Sequence, residues 1–254
     1  MKHPPPDPAL RACVVLPARN EEVLVGASLA ALAVQENVPP AQYEVLLVLD
    51  RCTDATGDRA MEVADEHPWL RLHFLDGPGL GSGHARRAGM EAACERLMGL
   101  GRPEGLIAST DADTVVAPDW LSAQLAAIER GARAIGGRIE LDDGSLPQAV
   151  VRWHAERGRK RHQKILSDPD RLGTAEHWQF SGASLALTAE TYAQVGGIEP
   201  RATLEDEGLE QVLRGQNIPI ERLLSVRATT SSRLRGRASQ GLAHDLAAAA
   251  ARLI

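Results

Sequence analysis

Short apolar runs alternate with stretches of helical periodicity through the first half of the chain. Each apolar run leads into a polar turn, after which apolar residues recur at three- and four-residue spacing, as in a strand, a turn and an amphipathic helix. Four units of this kind follow one another, and they contain VVLPARNEE, YEVLLVLD, LRLHFLD and GLIASTDADTVV. Consecutive strand–helix units predict a parallel sheet flanked by helices.

Prolines predict several boundaries of these elements. Pro17 is expected to end the first strand, and Pro68 to stop the second helix because a proline lacks the N–H that a helix interior needs. Pro118 is expected in the first turn of the fourth helix, where a missing N–H has little cost.

The pattern changes after Ala132. A strand, a polar turn from Asp142 to Pro147 and a helix from Gln148 to Leu166 come first. A short strand (GASLALT), a short helix to Val195, an acidic helix (LEDEGLEQVLRG) and a final strand around Ile218–Val226 complete the predicted order. No linker-like or repeated segment divides the chain, so we expect a single domain.

The composition is that of an ordinary globular protein. Of the 254 residues, 44% are hydrophobic and 24% are charged, so a sizeable core is expected. The formal net charge of -6 argues against nucleic acid as the main partner. The cysteines are few and widely spaced, and we find no secretory leader and no apolar run of about 18 residues, so we expect a cytoplasmic protein without a transmembrane segment. Peripheral contact with a membrane stays open.

Two carboxylates follow the fourth predicted strand at once, Asp111 and Asp113. Ligands of parallel sheets bind at the carboxyl ends of the strands, where these residues are expected. Carboxylates one residue apart repel each other unless a cation or a proton lies between them. Mg²⁺ or Mn²⁺, held by one or two carboxylates and by substrate phosphates, would remove this repulsion, so the pair predicts a metal site.

Two other interpretations of these motifs were weighed. The segment LIASTDADTV also fits the aspartate-nucleophile phosphatases, with Asp111 as nucleophile and Asp113 as acid and base, although three strand–helix units precede it. The glycine stretch DGPGLGSGHARRAG is a weak dinucleotide fingerprint because His84 stands at the third glycine position. Its glycines still allow close approach of a ligand, and Arg86 and Arg87 lie near a helix start that favours anions.

Five segments carry a resemblance to a known family: VVLPARNEE, VLDRCTDAT, GSGHARRAG, STDADTVVAPDWL and the long stretch from SGASLALT to GQNIPI. In this order they resemble family 2-like glycosyltransferases of the GT-A fold, over about Arg11–Val226. The resemblance implies an α/β fold, with a Rossmann-like, mixed and mostly parallel sheet flanked by helices. It also implies a nucleotide-diphosphate sugar as donor and Mg²⁺ or Mn²⁺ as cofactor.

The resemblance implies roles for individual residues. We expect donor contacts from Pro17, Ala18, Arg19, Glu21, Asp50, Gly81, Arg86, Asp111 and Ala112, and metal ligation by Asp111 and Asp113. Asp206 is the expected base of an inverting transfer, and Trp178, Gly182 and Glu205 are expected at the acceptor. The implied division is an irregular lead (1–10), a donor half (11–130), an acceptor half (131–228) and a basic loop with a C-terminal helix (229–254).

The chain also departs from the family pattern. Arg87 replaces an asparagine, and TTSSRLRGRASQG replaces a segment that often contains histidine or aromatic residues. Arg233, Arg235 and Arg237 would suit a lid over the diphosphate, a grip on an anionic acceptor or a solvated tail. A phosphatase or a non-catalytic nucleotide-sugar-binding module stays the alternative function, and the donor, the acceptor and the oligomeric state are not specified.

Overall fold

One mixed sheet of eight strands organises the protein. The computed structural model describes residues 4–142, 144, 146–236 and 240–253. The strands are β1 (Ala12–Ala18), β2 (Tyr43–Leu49), β3 (Leu72–Asp76), β4 (Leu106–Ser109), β5 (Thr114–Val116), β6 (Ala134–Leu141), β7 (Leu185–Thr188) and β8 (Ile220–Thr230). The helices are α1 (Val25–Ala33), α2 (Thr56–Glu66), α3 (Ser82–Gly99), α4 (Trp120–Glu129), α5 (Gln148–Leu166), α6 (Ala189–Gln194), α7 (Glu205–Gly215) and α8 (Leu242–Leu253), with a 3₁₀ turn at Pro40–Gln42.

The strand order is β3-β2-β1-β4-β7-β6-β8-β5. The first four strands in this order are mutually parallel, as the sequence predicts. β7 runs antiparallel to both β4 and β6, β8 is parallel to β6, and β5 is antiparallel to β8. The prediction of a mixed, mostly parallel sheet flanked by helices is confirmed.

Both faces of the central strands are buried, which explains their continuous apolar sequences. Along β1, Val14 joins a core that lies under α1, α2 and α4, whereas Val15 joins a core under α3, α6 and α7. A third, small cluster links α5 to α8 through Val150, Leu246 and Ala249. Val150 is the one fully buried residue of α5, whose other residues are half-buried or exposed.

Pro17 does not end the first strand, contrary to the prediction. β1 continues to Ala18, and Pro17 lies opposite Val48 of β2. The carbonyl of Val15 accepts a hydrogen bond from the N–H of Thr110, so the backbone polar groups of Val15 point towards β4. Residues two apart in a strand direct their backbone groups to the same side, so those of Pro17 also point towards β4. The β1–β4 ladder has already ended at the Val15–Ser109 pair, so the missing N–H of Pro17 breaks no ladder bond there.

Two further boundaries differ from the prediction for one reason. Residues Thr114–Val116 form the edge strand β5, so α4 begins at Trp120 and Pro118 precedes the helix. Strand β8 extends to Thr230 because its last residues pair with both β5 and β6. These pairings join segments about a hundred residues apart, which local periodicity does not report.

Helix α3 packs closely on the sheet at Gly89. A Cβ at this position would overlap Cγ1 of Val15 and lie 2.9 Å from Cγ2 of Val48. Both valines are buried strand residues whose branched side chains have little freedom to move. The absence of a side chain at Gly89 therefore sets the distance between α3 and the sheet.

We expect Gly89→Ala to lower the free energy of unfolding by about 1–3 kcal/mol, because the added methyl overpacks the core. Gly99→Ala in the last turn of the same helix is the control, since a Cβ there meets nothing within 4 Å. It should leave stability unchanged or raise it by up to about 1 kcal/mol. Urea denaturation followed by circular dichroism measures both, and a Gly89→Ala variant as stable as the control would contradict the packing argument.

Candidate active site

An open cleft of about 1130 Å³ lies at the carboxyl ends of β1, β2 and β4. All the site residues predicted from the sequence line this cleft: Pro17, Ala18, Arg19, Glu21, Asp50, Gly81, Arg86, Asp111, Ala112, Asp113, Trp178, Gly182, Glu205 and Asp206. The structure thus brings together residues that are up to about 190 positions apart.

Arg86, in the first turns of α3, is the buried centre of the cleft. Its Nη2 donates to Oδ1 of Asp111 at 2.7 Å, and its Nε donates to Oε1 of Glu205 at 2.8 Å. Its Nη1 donates to the carbonyl of Gly182 at 3.0 Å and to the hydroxyl of Ser109. Burial by itself would lower the pKa of Arg86, but the two carboxylates outweigh it and raise the pKa. One guanidinium thereby joins β4, α7 and the loop before β7.

Gly182 connects this centre to Asp206. A Cβ at Gly182 would overlap Nη2 of Arg86, so only glycine allows the loop to approach the guanidinium. The N–H of Gly182 donates to Oδ2 of Asp206 at 3.1 Å, and the N–H of Glu207 donates to Oδ1 at 2.9 Å. Asp206 therefore has a fixed carboxylate at the start of α7, half-buried and facing the cleft.

Glu205 supports the scaffold of the site. Its side chain is buried and ion-paired with Arg86, and the expected contact with an acceptor stays a prediction. The sequence could not show this ion pair, because the two residues are 119 positions apart. Arg87 pairs with Glu91 on α3 and donates to the carbonyl of Ile198, which is the surface ion pair that the sequence left open for one of the two arginines.

Asp50 lies at the end of β2 and organises the glycine loop. Its carboxylate accepts hydrogen bonds from the backbone N–H groups of Gly79 and Gly81, the latter at 3.2 Å. Both glycines have positive φ (76° and 112°), which explains the residue type. Nη1 of Arg19 lies 4.0 Å from the same carboxylate, at the mouth of the cleft.

Arg233 from the segment after β8 reaches across the cleft. Its Nη2 lies 2.8 Å from Oδ2 of Asp113, and its two terminal nitrogens donate to the carboxylate of Glu21 at 2.7 and 2.8 Å. Arg235 is exposed, and Arg237 lies outside the described residues. Of the three arginines that the sequence suggests for this segment, Arg233 is the one that the structure places against the carboxylates.

Asp113 lies in an environment that disfavours a second negative charge. Burial raises its pKa to about 6, and the carboxylates of Asp111 and Glu21 add to the shift, while Arg233 opposes it. Over residues 4–142, 144, 146–236 and 240–253, no group of three or more His, Cys, Asp or Glu residues forms a closed metal-binding set. Two carboxylates on one side of a cleft fit a divalent ion that takes its other ligands from phosphate and water.

A basic wall faces this site from α5, and the sequence analysis did not assign it. Arg157, Arg161 and Lys164 all line the cleft, and the guanidinium carbon of Arg161 lies 4.7 Å from the centre of the Trp178 ring. Their spacing of four and three residues is the sequence signal that would have identified one helix face. Next to Trp178, His177 is buried and its pKa is lowered to about 4 by that burial, so it is a neutral structural residue.

In metal-free protein, Asp113→Asn should stabilise the fold above pH 6. The folded pKa of about 6 exceeds the ordinary value of 3.8, so the parent loses stability as the pH rises from about 4 to 6, and asparagine does not titrate. The gain should reach at most about 3 kcal/mol at pH 8 and vanish near pH 4. Urea denaturation in EDTA at both pH values measures it. Exposed Asp76→Asn, the control, should change stability by less than about 0.5 kcal/mol; equal gains at pH 4 and pH 8 would refute the electrostatic cause.

Solved structures with the same fold provide the first comparison. A mannosyltransferase from Pyrobaculum calidifontis, in complex with GDP-Man and Mn²⁺, aligns with a TM-score of 0.65 and 20% identity over 91% of this chain and 60% of that one. TarS of S. aureus (residues 1–349), in complex with UDP-GlcNAc, aligns with a TM-score of 0.60 and 15% identity over 93% of this chain and 69% of that one. These similarities show the GT-A fold.

Sequence comparison extends this result. "Probable glycosyltransferase YdaM" of Bacillus subtilis is 24% identical over 213 residues, which are 78% of this chain and 45% of that protein. The chain thus spans less than half the length of this curated relative. None of the helices that the structure describes has the length and apolarity needed to cross a bilayer.

The family profile for glycosyl transferase family 2 matches residues 13–182. The match includes both aspartates that follow β4, so it decides against the phosphatase interpretation of that motif. Since it also covers more than half of the chain, the protein belongs to glycosyl transferase family 2.

Proposed function

We propose that this protein transfers a sugar from a nucleotide-diphosphate sugar to an acceptor hydroxyl, with inversion and with the help of a divalent metal ion. The observation that carries the proposal is the scaffold around Arg86. Arg86 holds Asp111 directly and holds Asp206 through Gly182. Asp111, which suits a metal-bound diphosphate, and Asp206, which suits an acceptor hydroxyl, therefore face the same cleft.

The donor fits the half of the cleft formed by residues 11–130. Its walls are the ends of β1 and β2 and the glycine loop held by Asp50, which presents backbone to the cleft at Gly81. GDP-Man and UDP-GlcNAc are bound by the two structural neighbours, so both nucleotides belong in a first donor panel. The base and the sugar used by this chain are to be determined with that panel.

Asp111 and Asp113 are the residues that would hold the metal ion. Asp111 forms an ion pair with Arg86, and Asp113 forms an ion pair with Arg233. Both aspartates thus already have cationic partners. A bound divalent ion would neutralise negative charge on the departing diphosphate. When the metal ion binds, Arg233 would lose its ion pair with Asp113 and keep its ion pair with Glu21, or its guanidinium would turn towards the diphosphate.

Asp206 is the proposed base. Its carboxylate would accept the proton of the acceptor hydroxyl while that oxygen attacks the anomeric carbon of the sugar. The bond from this carbon to the diphosphate oxygen breaks, and the nucleoside diphosphate leaves with the electron pair. Attack on the face opposite the leaving group inverts the configuration. The backbone N–H groups of Gly182 and Glu207 keep the carboxylate oriented for this step.

Asp113→Asn should abolish the metal-dependent part of donor binding. We expect Mn²⁺ to tighten UDP or GDP binding to the parent by about tenfold or more, equivalent to about 1.4 kcal/mol, and to leave the variant's affinity at its EDTA value. Isothermal titration with and without Mn²⁺ measures both proteins, with Asp76→Asn as the control that should behave like the parent. A variant with unchanged metal dependence would remove Asp113 from the metal site.

Asp206→Asn should lower turnover by roughly 10²–10⁴ and keep donor affinity within about threefold, because an amide has the shape of the carboxylate but cannot accept the proton. Glu207→Gln is the matched control, since Glu207 is the exposed neighbour, and it should keep turnover within about threefold. Nucleotide release from GDP-Man and UDP-GlcNAc reports turnover. Near-parental release in the Asn variant would exclude Asp206 as the base, and donor binding by the parent without release or transfer would indicate a non-catalytic module.

A further inference from the structure

The basic face of α5 differs from the rest of that helix. On the outer side, Arg159 and Lys160 share one carboxylate partner, that of Glu156. On the cleft side, Arg157, Arg161 and Lys164 follow one another at helical spacing without an acidic residue between them. The positive charge of the helix is therefore unbalanced where it faces the cleft.

Arg161 is held in position but has no ionic partner among the described residues. Its guanidinium stacks on Trp178, and a Cβ at Gly158 would lie 2.9 Å from Nε1 of that tryptophan, so the indole fits directly against the helix. Within the part of the chain that the structure describes, Arg161 and Lys164 form no hydrogen bond or ion pair, whereas Arg157 pairs with Asp245 of α8. Stacking orders the Arg161 guanidinium and leaves its N–H edges available to an oxyanion.

The surrounding charges do not satisfy Arg161. Burial lowers its pKa, Arg157 lowers it further, and the opposing effects of Asp245, Glu207 and Asp206 do not restore the ordinary value. The pKa of His154 is lowered mainly by burial and further by the positive charges of Arg157 and Arg161. The carboxylates of Asp206 and Glu207 on α7 thus do not fully compensate the positive charge of the α5 face.

Two further carboxylates that line the cleft have partners of their own. Glu210 pairs with Arg222 at 2.6 Å, and Asp168 pairs with Arg214 at 2.7 Å. Asp206 and Glu207 line the same cleft as Arg161, and their charges act to raise its pKa. A molecule whose hydroxyl meets Asp206 would therefore extend towards Arg161 and Lys164.

We propose that the acceptor carries a phosphate ester, which Arg161 and Lys164 bind with Arg157 at the edge of the subsite. The proposal rests on the proposed function, because it identifies the molecule at Asp206 as the acceptor. A phosphate carries nearly two negative charges at neutral pH and accepts several charge-assisted hydrogen bonds, which suits adjacent cations better than a single carboxylate does. Either a soluble phosphate ester or a lipid phosphate headgroup supplies this chemistry.

The first test uses inorganic phosphate as the probe in isothermal titration of the full chain. The double variant Arg161→Gln/Lys164→Gln should lose phosphate affinity by about tenfold or more. The control Arg152→Gln/Arg159→Gln removes the same charge from exposed positions of the same helix and should bind like the parent. Equal phosphate binding by both double variants would overturn the proposal.

The second test identifies the source of the phosphate. Vesicles of phosphatidylcholine with 30% phosphatidic acid and vesicles of phosphatidylcholine alone are sedimented with the parent and with both double variants. Binding to the phosphatidic acid vesicles that only Arg161→Gln/Lys164→Gln loses supports a lipid acceptor, and phosphate binding without vesicle binding supports a soluble one. Equal loss in both double variants would show general adsorption of α5 and overturn a specific subsite, as would the absence of both kinds of binding.

The failure of this inference differs from a failure of the proposed function. Arg161→Gln/Lys164→Gln should keep Mn²⁺-dependent binding of UDP or GDP, since its changes lie on α5. Nucleotide binding without site-specific phosphate or vesicle binding would reject the acceptor inference alone. Phosphate binding without any nucleotide binding or turnover in the parent would instead reject the glycosyltransferase proposal.

Discussion

The buried guanidinium of Arg86 is the constraint on which the rest of the cleft depends. It lies between the half-buried carboxylate of Asp111 and the buried carboxylate of Glu205, and it compensates the charge of both. Removal of one member of a buried charge pair typically costs about 3–5 kcal/mol, because the partner is left without compensation. The side chain of Arg86 also donates to the carbonyl of Gly182. The ion pair at the end of β4 therefore fixes the position of the loop before β7 through Arg86.

Close backbone approach is the second organising feature of the site. Gly182 lies against Arg86, and Gly83 lies against the carbonyl of Arg201 and the side chain of Glu205. At both places a Cβ would collide with backbone or with a buried charged group. The site therefore combines polar groups that must be paired with glycines that let the pairs form, and the cost of burial is offset by nearly complete hydrogen bonding at Arg86.

The charge of the cleft differs from that of the whole molecule. The chain carries a net charge of -6, yet several arginines line the cleft, among them Arg233 from the segment after β8 and Arg161 from α5. Arg233 meets the carboxylates of Asp113 and Glu21, whereas Arg161 meets the face of an aromatic ring. On the donor side, the carboxylates of Asp113 and Glu21 are thus paired with Arg233, and a metal ion can replace that arginine as their partner. On the α5 side, the positive charge of Arg161 is not paired with a carboxylate among the described residues.

The sequence by itself determined the elements and the edge of the sheet at which the site lies. Parallel strands bring their carboxyl ends together, so residues such as Asp50 and Asp111 could be assigned to one cleft from their positions after apolar runs. The start of α7 placed Asp206 near the same edge once the family resemblance was recognised.

Only the tertiary structure decided which charged groups meet. The pairing of Arg86 with Glu205, the reach of Arg233 to Glu21 and the stacking of Arg161 on Trp178 are contacts between different elements. Strand β5 and the full length of β8 also depend on a pairing between distant segments. Periodicity reports which face of an element is apolar, but it carries no information on the partner that the polar face will meet, because that partner is set by the packing of the whole sheet.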